Sequence, residues 1–123
     1  MEQVHGAAVV TVTGCIIVAI QDDLDDRAVL ALQDRLVDEI ARTGAHGVII
    51  DISALEIVDT FAGRMLGNMA EMSRLMNART IVAGMRPAVA MTLVELGLEL
   101  DGVETALNAD KAMMLLDHGR RGG

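Results

Sequence analysis

The chain has 123 residues, 52% of them hydrophobic and 23% charged, which is one domain's worth of sequence with no room for a second. A mean hydropathy of +0.41 excludes a disordered chain. Ten Lys and Arg against eighteen Asp and Glu give a formal charge of −8, which argues against nucleic acid or an anionic membrane as the main partner, since both need a basic patch.

The run from Ala7 to Val12 is apolar and β-branched, Thr13-Gly14 punctuates it, and Cys15 to Ile20 resumes it. Two such runs across a Gly-containing turn predict a hairpin. Gln21-Asp22-Asp23 stops the sheet, and either Asp is expected to cap the helix that follows. Asp25 and Asp26 fall in its first turn, where the dipole favours negative charge. Val29, Leu32, Leu36 and Ile40 recur at helical spacing, and Gly44 is the natural stop. Val48 to Ile52 is a nearly continuous β-branched run, as in a central strand buried on both faces. A loop from Ser53 to Val58 leads to a second helix from about Thr60 to Met76. Thr80 to Gly84 reads as a strand, and Arg86-Pro87 opens a third helix that Gly97 ends. Val103 to Ala106 reads as a short edge strand, and Asn108 caps a last helix ending near Asp117. The domain is therefore drawn over 1–118, with 119–123 as a flexible tail. Strand and helix alternate after an opening hairpin, which predicts a mixed sheet covered by helices in an α/β domain.

Phe61 is the sole aromatic residue, so the core must be built from Val, Ile, Leu, Ala and nine Met. No phosphate-cradling Gly-rich loop and no G-x-S-x-G occurs. His5, His46 and His118 lie in different segments with no His or Cys at ligand spacing, so neither a metal site nor a cofactor is expected. Cys15, in an apolar run, is expected to be an inert buried thiol; a single cysteine forms no intramolecular disulfide and suits a reducing compartment. The cluster Asp22, Asp23, Asp25, Asp26 reads as capping plus a solvated face, without the Gly and Glu of a calcium loop. No carboxylate pair forms a recognisable acid/base arrangement, and no catalytic residue is assigned. The start lacks a basic region, and the run from Ala7 to Ile20 is interrupted and shorter than the ~20 apolar residues of a membrane span. A soluble, cytoplasmic, non-enzymatic protein is expected.

The informative stretch is Asp51-Ile-Ser-Ala-Leu-Glu-Ile-Val-Asp-Thr-Phe-Ala-Gly-Arg64, which leaves the end of the central strand and enters a helix. Functional loops in α/β sheets favour the carboxyl ends of strands. Thr60 stands at the helix N-terminus and has two readings. As an N-cap, its hydroxyl is worth about 0.5–2 kcal/mol. As a modified hydroxyl, it would place a phosphate against unpaired N–H donors and the positive dipole end. Along the second helix Ala62, Met65, Leu66, Met69, Met72, Ser73 and Met76 share one broad face, read as core. Gly63, Arg64, Gly67, Glu71 and Arg74 fall opposite. Two glycines within a helix cost roughly 1 kcal/mol each relative to Ala. Facing outward, they leave a low patch beside Thr60 that suits close approach by another protein.

Asp51-Ile-Ser-Ala-Leu-Glu-Ile-Val-Asp-Thr-Phe resembles the phosphorylation-site segment of STAS domains, the anti-sigma-factor antagonist family. Gly84-Met-Arg-Pro-Ala-Val-Ala-Met-Thr-Leu-Val-Glu-Leu-Gly-Leu98 and Thr105-Ala-Leu-Asn108 are similar to the single-domain antagonist of the bacterial stressosome, the RsbS type. The resemblance covers about residues 3–117. It implies a single STAS domain: a mixed, mostly parallel central sheet of four to five strands with four helices. It also implies a scaffold without catalysis that holds a switch serine/threonine kinase in a large complex with STAS-containing paralogues and with its own copies. Under stress the kinase phosphorylates the scaffold and departs, and a phosphatase resets it. The family's acceptor hydroxyl falls on Thr60, where single-domain antagonists usually carry Ser and paralogues Thr. Asp59, Phe61, Gly63, Arg64 and Gly67 are then the expected partner-binding residues, and Ser53 the decoy hydroxyl. No sensory domain is expected before the motif, which would favour the small antagonist over the paralogues. A stand-alone anti-sigma-factor antagonist and a nucleotide- or lipid-binding STAS module are the alternatives; the missing phosphate loop and stacking aromatics weigh against the second.

Overall fold

The computed structural model describes residues 2–98 and 103–122. Its elements in chain order are β1 (Glu2–Val4), β2 (Ala7–Val12), β3 (Cys15–Ile20), α1 (Asp26–Thr43), β4 (Gly47–Asp51), α2 (Thr60–Leu75), β5 (Arg79–Ala83), α3 (Pro87–Glu95), β6 (Glu104–Ala106) and α4 (Ala109–Gly122). The six strands form one sheet in sequence order. β1, β2 and β3 pair antiparallel, whereas β3 through β6 pair parallel. The mixed, mostly parallel sheet with four helices is the architecture expected, with one strand more.

The layering follows from strand period. In β4, Val48 and Ile50 join the core that packs on α1, α2 and α3. Ile49, between them, joins Cys15, Ile81 and Ala83 under Ala112 and Leu116 of α4. Each crossover from β3 onward adds the next strand in the same direction, and connections of one hand put their helices on one face. The last helix returns to cover the other face. The short β6 edge is fixed by charge. Arg79 Nε and Nη2 each donate to Glu104 at 2.6 Å, and Arg79 Nη1 donates to the Leu115 carbonyl of α4 at 3.1 Å.

Three boundaries depart from the sequence reading. β1 is absent from it, because a three-residue strand spelled Glu-Gln-Val carries no apolar alternation. The cap of α1 is Asp25, not Asp22 or Asp23: the Ala28 amide donates to Asp25 Oδ1 at 2.8 Å. α4 continues past Asp117 to Gly122, over residues expected to be a frayed tail. One buried charge also escaped pattern reading. Glu39, on α1, accepts from Thr11 of β2, from Arg35 at 2.9 Å and from Arg42 at 2.6 Å. The bonds from Arg42 and then Thr11 hold its carboxyl down to about 2 against the pull of burial.

Candidate functional site

The loop between β4 and α2 leaves the carboxyl end of a central parallel strand and is tied down at several points. The Ile52 amide donates to the Ala83 carbonyl at 2.9 Å, continuing the β4–β5 ladder past the strand's end. The Ser53 amide donates to Asp51 Oδ1 at 2.9 Å, and Arg86 Nε donates to the Ser53 carbonyl at 3.0 Å. Gly84 is required where the β5–α3 connection crosses this loop. Its φ is +76°, and a Cβ there would stand 2.8 Å from that of Ser53. Leu55 and Val58 plug into the core, which pushes Glu56 and Ile57 outward; Ile57 is 80% exposed.

Asp59 then turns the chain into the helix. Its backbone is extended, its side chain accepts from the Ala62 amide at 2.8 Å, and its carbonyl accepts the first helical bond from Gly63 at 3.0 Å. Asp59 is thus the N-cap of α2, and the reading of Thr60 as the cap is corrected. Asp and Thr are both good capping residues, and it is Asp59, next to buried Val58, that sits at the extended position. Thr60 becomes the first helical residue. It is exposed, and among the described residues its hydroxyl has no hydrogen-bond partner. Phe61 beside it is 42% exposed, and Arg64 is exposed one turn on.

The outward face of α2 is narrower than expected. Met65 and Met69 are buried and Arg74 is exposed, as read from the periodicity, while Met72, Met76 and Gly67 are half-buried. Gly63 does not face outward. It is buried, and a Cβ there would lie 2.4 Å from Leu98 Cδ1 and 3.1 Å from Leu93 Cδ2. The glycine lets α2 pack close to α3 and the residues after it, so Gly63 presents no surface to a partner. Its outward placement assumed a single buried stripe, whereas α2 is flanked on two sides.

A cleft of about 250 Å³ separates this loop from the β3–α1 turn, lined among others by Asp22, Asp23, Leu24, Ile57, Asp59 and Phe61. The two acidic loops meet because β3 and β4 are parallel neighbours whose carboxyl ends share one edge. The acidic run after the hairpin was visible in the sequence; its position beside Thr60 needed the strand order. Ser53, the decoy hydroxyl, is exposed at the opposite end of the loop, where its backbone carries the Asp51 and Arg86 bonds.

A six-stranded sheet opened by an antiparallel hairpin, with a capped helix displaying a hydroxyl after its central strand, defines the class. The STAS domain family matches residues 7–112, and the chain belongs to that family. Within it the chain is similar to Moorella thermoacetica RsbS, with 36% identity, coverage of 94% of this chain and 97% of the other, and a TM-score of 0.83. It is likewise similar to a chain in the architecture of the stressosome, a signal integration and transduction hub, with 37% identity, 93% and 99% coverage and a TM-score of 0.83. The RsbT co-antagonist protein RsbRA of Bacillus subtilis (strain 168) is 29% identical over 90 residues, 73% of this chain. The match covers 33% of that relative, so the chain spans about a third of its length. No described helix is long and apolar enough to cross a membrane.

Proposed function

We propose that the chain is a non-enzymatic stressosome scaffold and antagonist that sequesters a switch serine/threonine kinase in the cytoplasm and releases it when Thr60 is phosphorylated. The observation that carries this reading is the division of labour at the start of α2. Asp59 supplies the cap, so the neighbouring Thr60 hydroxyl is exposed and uncommitted, between the exposed apolar side chains of Ile57 and Phe61. Similarity to RsbS and to a stressosome chain over almost the full length supports the same reading, with STAS-containing paralogues and further copies of the chain as assembly partners. A phosphatase resets the site. Asp59, Phe61, Arg64 and Gly67 remain the proposed kinase-facing residues; Gly63 acts beneath them by setting the depth of the helix.

The switch follows from electrostatics. Phosphorylation adds about −1.5 to −2 charge. At the first turn of α2 it meets the positive end of the helix dipole, so the domain stays folded. It also adds bulk and charge next to Asp59, which lines a cleft with Asp22 and Asp23, on a chain already at −8. The kinase is therefore displaced from the docking surface without unfolding its scaffold. The test is phosphopeptide mapping after incubation with the switch kinase and ATP. Modification of Thr60, abolished in Thr60→Ala and retained in Ser53→Ala, is the expected result. Modification at Ser53, or wild-type phosphorylation of Thr60→Ala, would overturn the assignment.

A further inference from the structure

We propose a second site, unrelated to Thr60, at the opposite end of the sheet: a soft monovalent cation site for Cu(I), built on Cys15 and His46. The fold brings together two residues 31 positions apart. Cys15 opens β3 and His46 immediately precedes β4, so both stand at the amino ends of neighbouring parallel strands. Cys15 Sγ lies 3.8 Å from His46 Nε2. With the bond lengths of zinc as a guide, ~2.3 Å to sulfur and ~2.0–2.1 Å to nitrogen, one ion shared at a tetrahedral or trigonal angle spans roughly 3.6–3.8 Å. Cys15 Sγ and His46 Nε2 are in hydrogen-bond contact at 3.8 Å, a separation that one ion in place of the shared proton would also span.

The backbone of His46 is held in place. The His46 amide donates to the Gly14 carbonyl at 2.9 Å, and the His46 carbonyl accepts from the Arg79 amide at 2.9 Å. A Cβ on Gly14 would come within 3.0 Å of the ring at Cε1 and Nδ1, so the ring fits because residue 14 is glycine. Thr13, next to it, has a φ of 48°, a strained conformation for a β-branched residue.

The surroundings select the ion. Thr13, Cys15, His46, Met113, Met114 and Asp117 line a cavity of about 300 Å³. Cys15 is 3% exposed and lines this cavity. Among the described residues no three His, Cys, Asp or Glu side chains are placed to hold a metal ion together. Besides Cys15 and His46, the cavity wall offers the Met113 and Met114 thioethers, the Thr13 hydroxyl and the Asp117 carboxylate, so two of its further donors are soft. Thiolate and thioether sulfur favour Cu(I), and imidazole suits copper. On binding, the sulfur–copper bond forms and the thiol proton leaves to solvent.

The test is an anaerobic titration of the full chain with Cu(I) against a chromophoric Cu(I) chelator, with Zn(II) run in parallel. The wild type should withdraw one equivalent of Cu(I), and bound Cu(I) should protect Cys15 from alkylation by iodoacetamide. Cys15→Ala and His46→Asn should each weaken binding at least tenfold, and Met113→Leu with Met114→Leu by a smaller factor. Circular dichroism establishes that each variant is folded, and the half-buried His46→Asn decides the matter if Cys15→Ala does not fold. Failure to compete with the chelator, retention of affinity in His46→Asn, or equal affinity for Zn(II) would overturn the proposal.

Discussion

Thr60 and Asp59 show how much hangs on a single position. Either side chain can accept a helix-opening bond, and the structure gives that task to Asp59. Replacing Asp59 with Ala should then cost about 0.5–2 kcal/mol, measured by urea denaturation. Thr60→Ala should leave stability within about 0.5 kcal/mol of wild type, because an exposed side chain outside any special contact contributes little. Equal losses from the two substitutions would return the cap to Thr60. At this scale the sequence pointed to Thr60 as the proposed acceptor but not to Asp59 as the cap, because two adjacent capping residues are equivalent in sequence until the backbone places one of them at the extended position. Gly63 was misread for a similar reason. Helical phase alone says which residues share a face, not how many neighbours the helix has. Its pairing with Leu98 and Leu93 belongs to a segment thirty residues on.

At the scale of elements, α1 is fastened to β2 through Glu39 and α2 is fastened to the sheet through its methionines. Glu39's ordinary carboxyl value of 4.5 is lowered to about 2 in the folded chain. A folded value below the unfolded one means that the stabilisation is complete above pH 4.5 and is lost as pH falls through about 2. Glu39→Gln should therefore cost about 1–3 kcal/mol at pH 7. The gap to wild type should narrow as pH is lowered from 4.5 toward 2 in urea denaturation, and a gap independent of pH would contradict the assignment. Met69 is fully buried, and Met69→Ala should cost about 2–5 kcal/mol by the same measurement. Gly63→Ala should destabilise by about 1–3 kcal/mol, since Leu98 and Leu93 must move, and a neutral result would show that the α2–α3 contact is loose. The helices and the longer strands were readable from periodicity and punctuation because their apolar spacing is regular. β1 was not, because its pairing rests on backbone bonds to β2 and three residues carry no period.

For the whole molecule, a sequential strand order puts the carboxyl ends of β3 and β4 at one edge of the sheet and their amino ends at the other. The Thr60 loop and the acidic β3–α1 turn share the first edge; Cys15 and His46 share the second. The alternation of strand and helix foretold the α/β class, but this long-range geometry depends on strand order and could not be read along the chain. A scaffold should also assemble. Light scattering should find species far larger than a dimer when paralogues are present, and a strictly monomeric chain over a wide concentration range, alone and with a paralogue, would contradict the scaffold role. The central claim is that phosphorylation at Thr60 releases the kinase from a domain that stays folded. The most direct measurement is the affinity of the switch kinase for the wild-type chain before and after phosphorylation, with circular dichroism on both forms. Repulsion and bulk amounting to about 3 kcal/mol predict an affinity roughly a hundredfold weaker with an unchanged spectrum. Equal affinity for the two forms, or release accompanied by unfolding, would contradict it.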